Sequence, residues 1–140
     1  MRVTIEFQVP GEPKGKGRPR AAKTKRGVRM YTPAATKTYE QAVQAAAVPA
    51  MAGRAPLTGP LELTLRVVMP VPASWSLKRK AAALAGLELP AKKPDLDNIL
   101  KAICDGLNGV AWTDDALVVD ATVRKRYGAE PGVCVRIERL

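Results

Sequence analysis

Residues 2–9 alternate without a break, with Val3, Ile5, Phe7 and Val9 on one face and Arg2, Thr4, Glu6 and Gln8 on the other. A period of two is the mark of a half-buried strand, and Pro10-Gly11-Glu12-Pro13 stops it. The stretch LELTLRVVM repeats the pattern through Leu61, Leu63, Leu65, Val67 and Met69 and predicts a second strand, in the sheet interior. Residues 117–126 (LVVDATVRKR) and 132–139 (GVCVRIER) predict two more. Their short link, GAEPG, predicts that they pair as an antiparallel hairpin.

The period changes between these strands. Thr32-Pro33 reads as an N-cap followed by proline at the first helical position, opening a helix of about four turns that should stop before Pro49 because proline disfavours helical backbone in the residue before it. Ser74 or Ser76 can cap a short basic helix over LKRKAAALAG, with Gly86 near its end. Leu96, Ile99, Leu100, Ile103 and Leu107 recur at three- and four-residue intervals, so Asp97 to Asn108 predicts an amphipathic helix ended at Gly109. There is no internal repeat, no repeated βαβ unit and no Gly-rich nucleotide fingerprint. The pattern therefore predicts an α+β fold, a single domain over residues 1–140 with one mixed sheet of about four strands and about three helices.

Charge changes this picture. Twenty-three Lys and Arg face 13 Asp and Glu, a net charge of +10, which favours a polyanionic partner, nucleic acid first. Residues 14–29, KGKGRPRAAKTKRGVR, hold eight cations and no acid. Such composition cannot pack a core, and residues 14–30 are expected to be a flexible basic loop that binds DNA. Lys14, Lys16, Arg18 and Arg20 are its first candidates for phosphate contacts, followed by Lys23, Lys25 and Arg26, with the glycines allowing close backbone approach. Lys78, Arg79, Lys80, Lys92 and Lys93 form a weaker patch. The chain has no histidine, which excludes histidine-based triads and zinc sites. Cys104 and Cys134 lack metal-like spacing and read as small core residues. No apolar run approaches the roughly 18 residues of a membrane span, and the amino terminus alternates rather than forming a signal sequence, so a cytoplasmic location is expected, bacterial or, for a viral or prophage gene, that of the host.

Against this basicity stands KPDLDNILKAICD, residues 93–105, with Asp95, Asp97 and Asp105, followed by Asp114-Asp115. Pro94 favours an extended entry, in which Asp95 and Asp97 would point to one side with Cα atoms roughly 6.5 Å apart. The plainer explanation makes Asp97 an N-cap and Asp97, Lys101 and Asp105 an ion-pair ladder; it leaves Asp95 and Asp114-Asp115 unexplained. Two acids at that separation repel by about 3 kcal/mol at an effective dielectric of about 20, and a divalent cation would turn the repulsion into binding. Oxygen-only donors select Mg²⁺ or Mn²⁺, ions suited to phosphodiester hydrolysis, while Lys101 could neutralise charge on the phosphate or orient the water.

The run KPDLDNILKAICDGLNGVAWTDD, residues 93–115, resembles the signature of the RusA family of Holliday junction resolvases, and GEPKGKGRPR, residues 11–20, looks like that family's basic loop after its first strand. The resemblance implies an Mg²⁺-dependent crossover junction endodeoxyribonuclease that binds four-way DNA junctions as a homodimer and cuts two strands symmetrically. By motif position it implies Asp95, Asp97 and one of Asp114-Asp115 as metal-binding carboxylates, with Asp115 preferred, and Lys101 as the essential lysine. Asp105, one turn past Lys101, suggests a residue that holds that lysine, Asn98 one that supports the helix start or the metal's surroundings, and Trp112 a core residue. The competing expectations are a nuclease acting mainly on flap or other branched DNA, and a basic DNA-binding protein without catalysis.

Overall fold

The alternating segments do become strands, and one of them is placed unexpectedly. The computed structural model describes residues 3–17, 20–31 and 33–140. In chain order it contains β1 (Thr4–Pro10), β2 (Arg20–Thr24), β3 (Gly27–Tyr31), α1 (Ala34–Met51), β4 (Leu61–Pro70), α2 (Leu77–Leu84), α3 (Leu96–Leu107), β5 (Val118–Gly128) and β6 (Gly132–Arg139). The main sheet is mixed and four-stranded, in the order β1-β6-β4-β5; β2 and β3 form a separate pair. The α+β class and the mixed four-stranded sheet are those that the periodicity predicts, and the two-stranded β2-β3 sheet is an addition to them.

β5 and β6 do not pair with each other. β4 lies between them, parallel to β5 and antiparallel to β6. The link of residues 129–131 passes over the end of β4, where Pro70 faces Gly128 and Val68 faces Gly132. Four steps of roughly 3.3 Å span the ~9.6 Å between next-nearest strands, so a short connection can join neighbours once removed. The expected hairpin is thus corrected: an antiparallel pair with a tight link has the same local sequence whether or not a third strand enters.

β4 buries Leu61, Leu63, Leu65, Val67 and Met69 on one face, and β1 adds Ile5, Phe7 and Val9. α1 and α3 cover that face, contributing Val43, Ala47, Ile99, Ile103 and Leu107. α1 runs two residues beyond Pro49 rather than ending before it. In a last turn proline forfeits a single backbone hydrogen bond, and Pro49 instead accepts from Ala52 N–H at 3.1 Å. At the other end Pro33 occupies the N-cap and not the first helical position; Thr32 lies outside the described residues. Ser76 caps α2, its hydroxyl accepting from Arg79 N–H at 3.2 Å.

The crossing of α1 and α3 is unusually close at Gly106, where an added Cβ would lie 2.9 Å from Val43 Cβ and 3.1 Å from the carbonyl oxygen of Glu40. Gly106→Ala gains about 1 kcal/mol in helix propensity, and the overpacking costs roughly 1–3 kcal/mol. A net loss of about 1 kcal/mol is expected, read as a lower urea midpoint at constant slope; a variant as stable as the parent would show that the helices can separate freely.

Residues 14–29 are not irregular throughout. β2 and β3 form an antiparallel hairpin around Lys25-Arg26, with Thr24 Oγ1 donating to Gly27 O at 2.9 Å. Every β2 and β3 residue except Ala22 is exposed, so the segment builds no core, as its composition requires.

Candidate active site

Pro94 precedes α3, and Asp95, not Asp97, occupies the N-cap position, with extended backbone (φ −69°, ψ 153°). Helical backbone begins at Leu96, so Asp97 sits in the first turn, where its charge complements the helix dipole. The expected extended Asp95-Asp97 pair therefore does not form, and the Asp95 side chain makes no capping hydrogen bond. The periodicity marks where the apolar stripe starts; it does not mark the cap, which a polar residue fills one step earlier.

After α3 the chain turns back at Asn108–Thr113. Trp112 is fully buried, its indole N–H donating to Asn108 Oδ1 at 2.7 Å, and Leu57 N–H donates to Ala111 O at 2.8 Å. These contacts fix the exit from the helix, so that Asp114, exposed, and Asp115, half-buried, open a turn of 3-10 helix leading into β5.

The geometry brings Asp97, Lys101 and Asp115 to one open depression of about 290 Å³, together with Leu100, Cys104, Val118 and Ala121. Asp95 and Asp114 do not line it. Among the described residues no three Asp, Glu or Cys side chains converge into a ready-made metal cage. The donor set nevertheless fits a hard divalent ion, since Mg²⁺ commonly takes one or two carboxylates and keeps water for the rest of its sphere. The nearby thiol does not compete. Burial first, then the negative charges of Asp115 and Asp105, pushes Cys104 up to about 12 against the opposing pull of Lys101, which keeps it protonated and inert near neutrality.

Asp105 holds Lys101, as its spacing predicts: Lys101 Nζ lies 3.3 Å from Asp105 Oδ1. Its other oxygen, Oδ2, is 2.9 Å from Lys16 Nζ, and Lys16 also donates to Glu40 Oε1 at 2.7 Å. Burial lowers the Lys16 pKa, but the hydrogen bonds and charges of Glu40 and Asp105 outweigh it and leave the ammonium above its ordinary value. The loop backbone is anchored as well. Lys16 N–H donates to Asn98 O, and Gly17 N–H to Thr36 Oγ1, each at 3.0 Å. A Cβ at Gly17 would fall 2.6 Å from that Thr36 oxygen, so here the glycine serves close approach to the protein's own helix. Asn98 meets the loop through its carbonyl.

The remaining basic residues point elsewhere. Lys14 is exposed, with Glu12 at 3.9 Å; Arg20, Lys23, Lys25 and Arg26 lie exposed on the hairpin; Arg18 lies outside the described residues. Lys14 and Arg20 line a hollow of about 360 Å³ at the start of α1. In the weaker patch Arg79 is engaged within the protein, 3.5 Å over the Trp75 ring and bound to Glu88 at 2.7 Å. Two residues escaped sequence reasoning. Lys125 on β5 donates to Lys92 O at 2.6 Å and Pro94 O at 3.0 Å, fixing the approach to Asp95; inside a run of four strand residues with three cations nothing distinguishes it. Glu40 is the lone acid of α1, a faint signal that was available.

The molecule is thus a basic α+β domain that gathers two carboxylates and a lysine in one depression, with a cationic hairpin near the start of its first helix. The chain matches the family described as Endodeoxyribonuclease RusA over residues 10–138, and it belongs to that family. It is also 40% identical over 140 residues to the Uncharacterized protein YqaN of Bacillus subtilis (strain 168), covering 97% of this chain and 96% of that one. Among the described residues no helix is long and apolar enough to cross a membrane.

Proposed function

We propose that the protein is a divalent-metal-dependent endonuclease that resolves four-way DNA junctions in the cytoplasm, acting as a homodimer whose two sites cut symmetrically. The convergence of Asp97, Lys101 and Asp115, drawn from a helix and the turn beyond it, on one depression is the observation that carries this reading. Membership of an endodeoxyribonuclease family supports the reaction class. Asp97 and Asp115 would hold the ion, with Asp95 at the N-cap as a further donor; Asp115 is preferred over Asp114 because it lines the depression.

When bound, Mg²⁺ or Mn²⁺ supplies polarisation of the phosphoryl oxygen and a more acidic water. The side chains do the rest. Lys101, 59% exposed and steadied by Asp105, places a cation where negative charge grows on the phosphate. The first-turn amides of α3 add positive field at the same end. Lys14, Arg20, Lys23, Lys25 and Arg26 track the phosphate backbone, the last four from the exposed hairpin.

The test is cleavage of a labelled synthetic four-way junction beside a flap and a linear duplex of the same sequence. The expected result is paired symmetric nicking of the junction with Mg²⁺, none with EDTA, and binding retained in both. Faster cutting of the flap would reassign the substrate, and binding without cleavage in either Mg²⁺ or Mn²⁺ would leave a DNA-binding protein in place of an enzyme.

A further inference from the structure

Lys16 stands in the middle of a cationic segment, yet it faces inward. Its side chain is 21% exposed, against 56% for Lys14 two residues earlier. We infer that Lys16 is a positioning residue for Lys101, acting through the Asp105 carboxylate that the two lysines share, and that it does not bind DNA phosphate. This inference rests on the reading of Lys101 as the lysine at the scissile phosphate.

Four charges make a closed set: Lys16 and Lys101 against Glu40 and Asp105, joined by contacts of 2.7, 2.9 and 3.3 Å. Both carboxylates are about one-fifth exposed, so neither is fully solvated in compensation if its cation leaves. For Lys16 to reach a phosphate, it would have to abandon both acids together and leave them facing each other. Its backbone opposes the same movement, being bonded to Asn98 O, with the following amide bonded to Thr36.

The consequence for Lys101 follows from the counting of charge. With Lys16 present, Glu40 is satisfied and Asp105 needs only a loose second contact, so Lys101 is steadied at 3.3 Å while lining the depression with Asp97 and Asp115. With the Lys16 charge removed, Lys101 becomes the nearest counter-ion for two partly buried acids and is drawn away from the depression. The basic loop and the cutting site are thereby one unit: the loop's seat on α1 and α3 sets the aim of the lysine.

Phosphate contact and positioning differ in the salt dependence of binding. Each phosphate contact contributes about 0.9 to the slope of log K against log[salt] on duplex DNA. The full chain and its Lys14→Met, Lys16→Met, Lys16→Arg and Glu40→Gln variants would be titrated with a four-way junction in EDTA over a salt series. Single-turnover cleavage at saturating protein would then be followed with Mg²⁺. Lys14→Met should make the slope shallower by about 0.9. Lys16→Met should keep slope and affinity within twofold while the single-turnover rate falls about 10- to 100-fold, by analogy with the loss on removing a partner that orients a metal ligand. Lys16→Arg, able to bridge both acids, should recover most of the rate, and Glu40→Gln should lower it at unchanged slope, which tests the same set should Lys16→Met fail to fold. A slope lost in Lys16→Met as in Lys14→Met, or parental rates in both Lys16→Met and Glu40→Gln, overturns the inference. Absence of cleavage by the parent protein itself would instead overturn the underlying reading.

Discussion

Asp97→Asn is expected to slow junction cleavage by at least ~10³-fold, about 4 kcal/mol in barrier, because it removes one of the two carboxylate charges lining the depression. Binding measured in EDTA should change little, since the lost charge was repulsive toward DNA. Stability should fall by no more than about 1 kcal/mol, the worth of an acid in the first turn of a helix. Asp115→Asn should behave in the same way, whereas Asp114→Asn, on the exposed side of the turn, should retain most of the rate. Cutting by Asp97→Asn at the parental rate would sink the site assignment, and a dead Asp114→Asn beside an active Asp115→Asn would exchange the roles of the pair.

The second large effect lies in the core. Trp112 is among the largest fully buried side chains, and its indole N–H is engaged by Asn108. Trp112→Ala should cost roughly 3–5 kcal/mol, a major part of the ~5–15 kcal/mol that holds a domain of this size together. It should also reduce cleavage under conditions where the variant is still folded, because Asp115 lies three residues beyond and depends on that turn. Urea unfolding by circular dichroism and single-turnover cleavage measure the two effects separately. A Trp112→Ala protein with the parental midpoint would mean that the turn packs elsewhere.

Much of this architecture was legible because one physical variable, burial, writes itself into the sequence with a fixed period. The inward faces of β1 and β4 are the residues that alternation selects, and the α3 stripe supplies Ile99, Ile103 and Leu107 to the core. Placement between strands is different: the insertion of β4 between β5 and β6 is decided by long-range pairing that leaves no local trace. The acids separate in a similar way. Spacing relates Asp105 to Lys101 because both ride one helix, and it misjudges Asp95 and Asp97 because the stripe's first residue, Leu96, already opens the helix and leaves the cap to Asp95. It also cannot show that Lys16 turns inward, since the acids that hold it are 24 and 89 positions away. A run of cations looks uniformly solvated until partners from elsewhere select one.

β6 follows every residue of the depression in the chain, and it is the strand that joins β1 to β4. Thr4 meets Glu138 and Leu61 meets Arg139, separations that make closure of this sheet slow relative to helix formation. During synthesis on the ribosome, Asp97, Lys101 and Asp115 emerge before the platform beneath them can exist. A nascent chain holds these three side chains without the sheet behind their shared depression, and it completes that sheet only when β6 slides into the gap between β1 and β4.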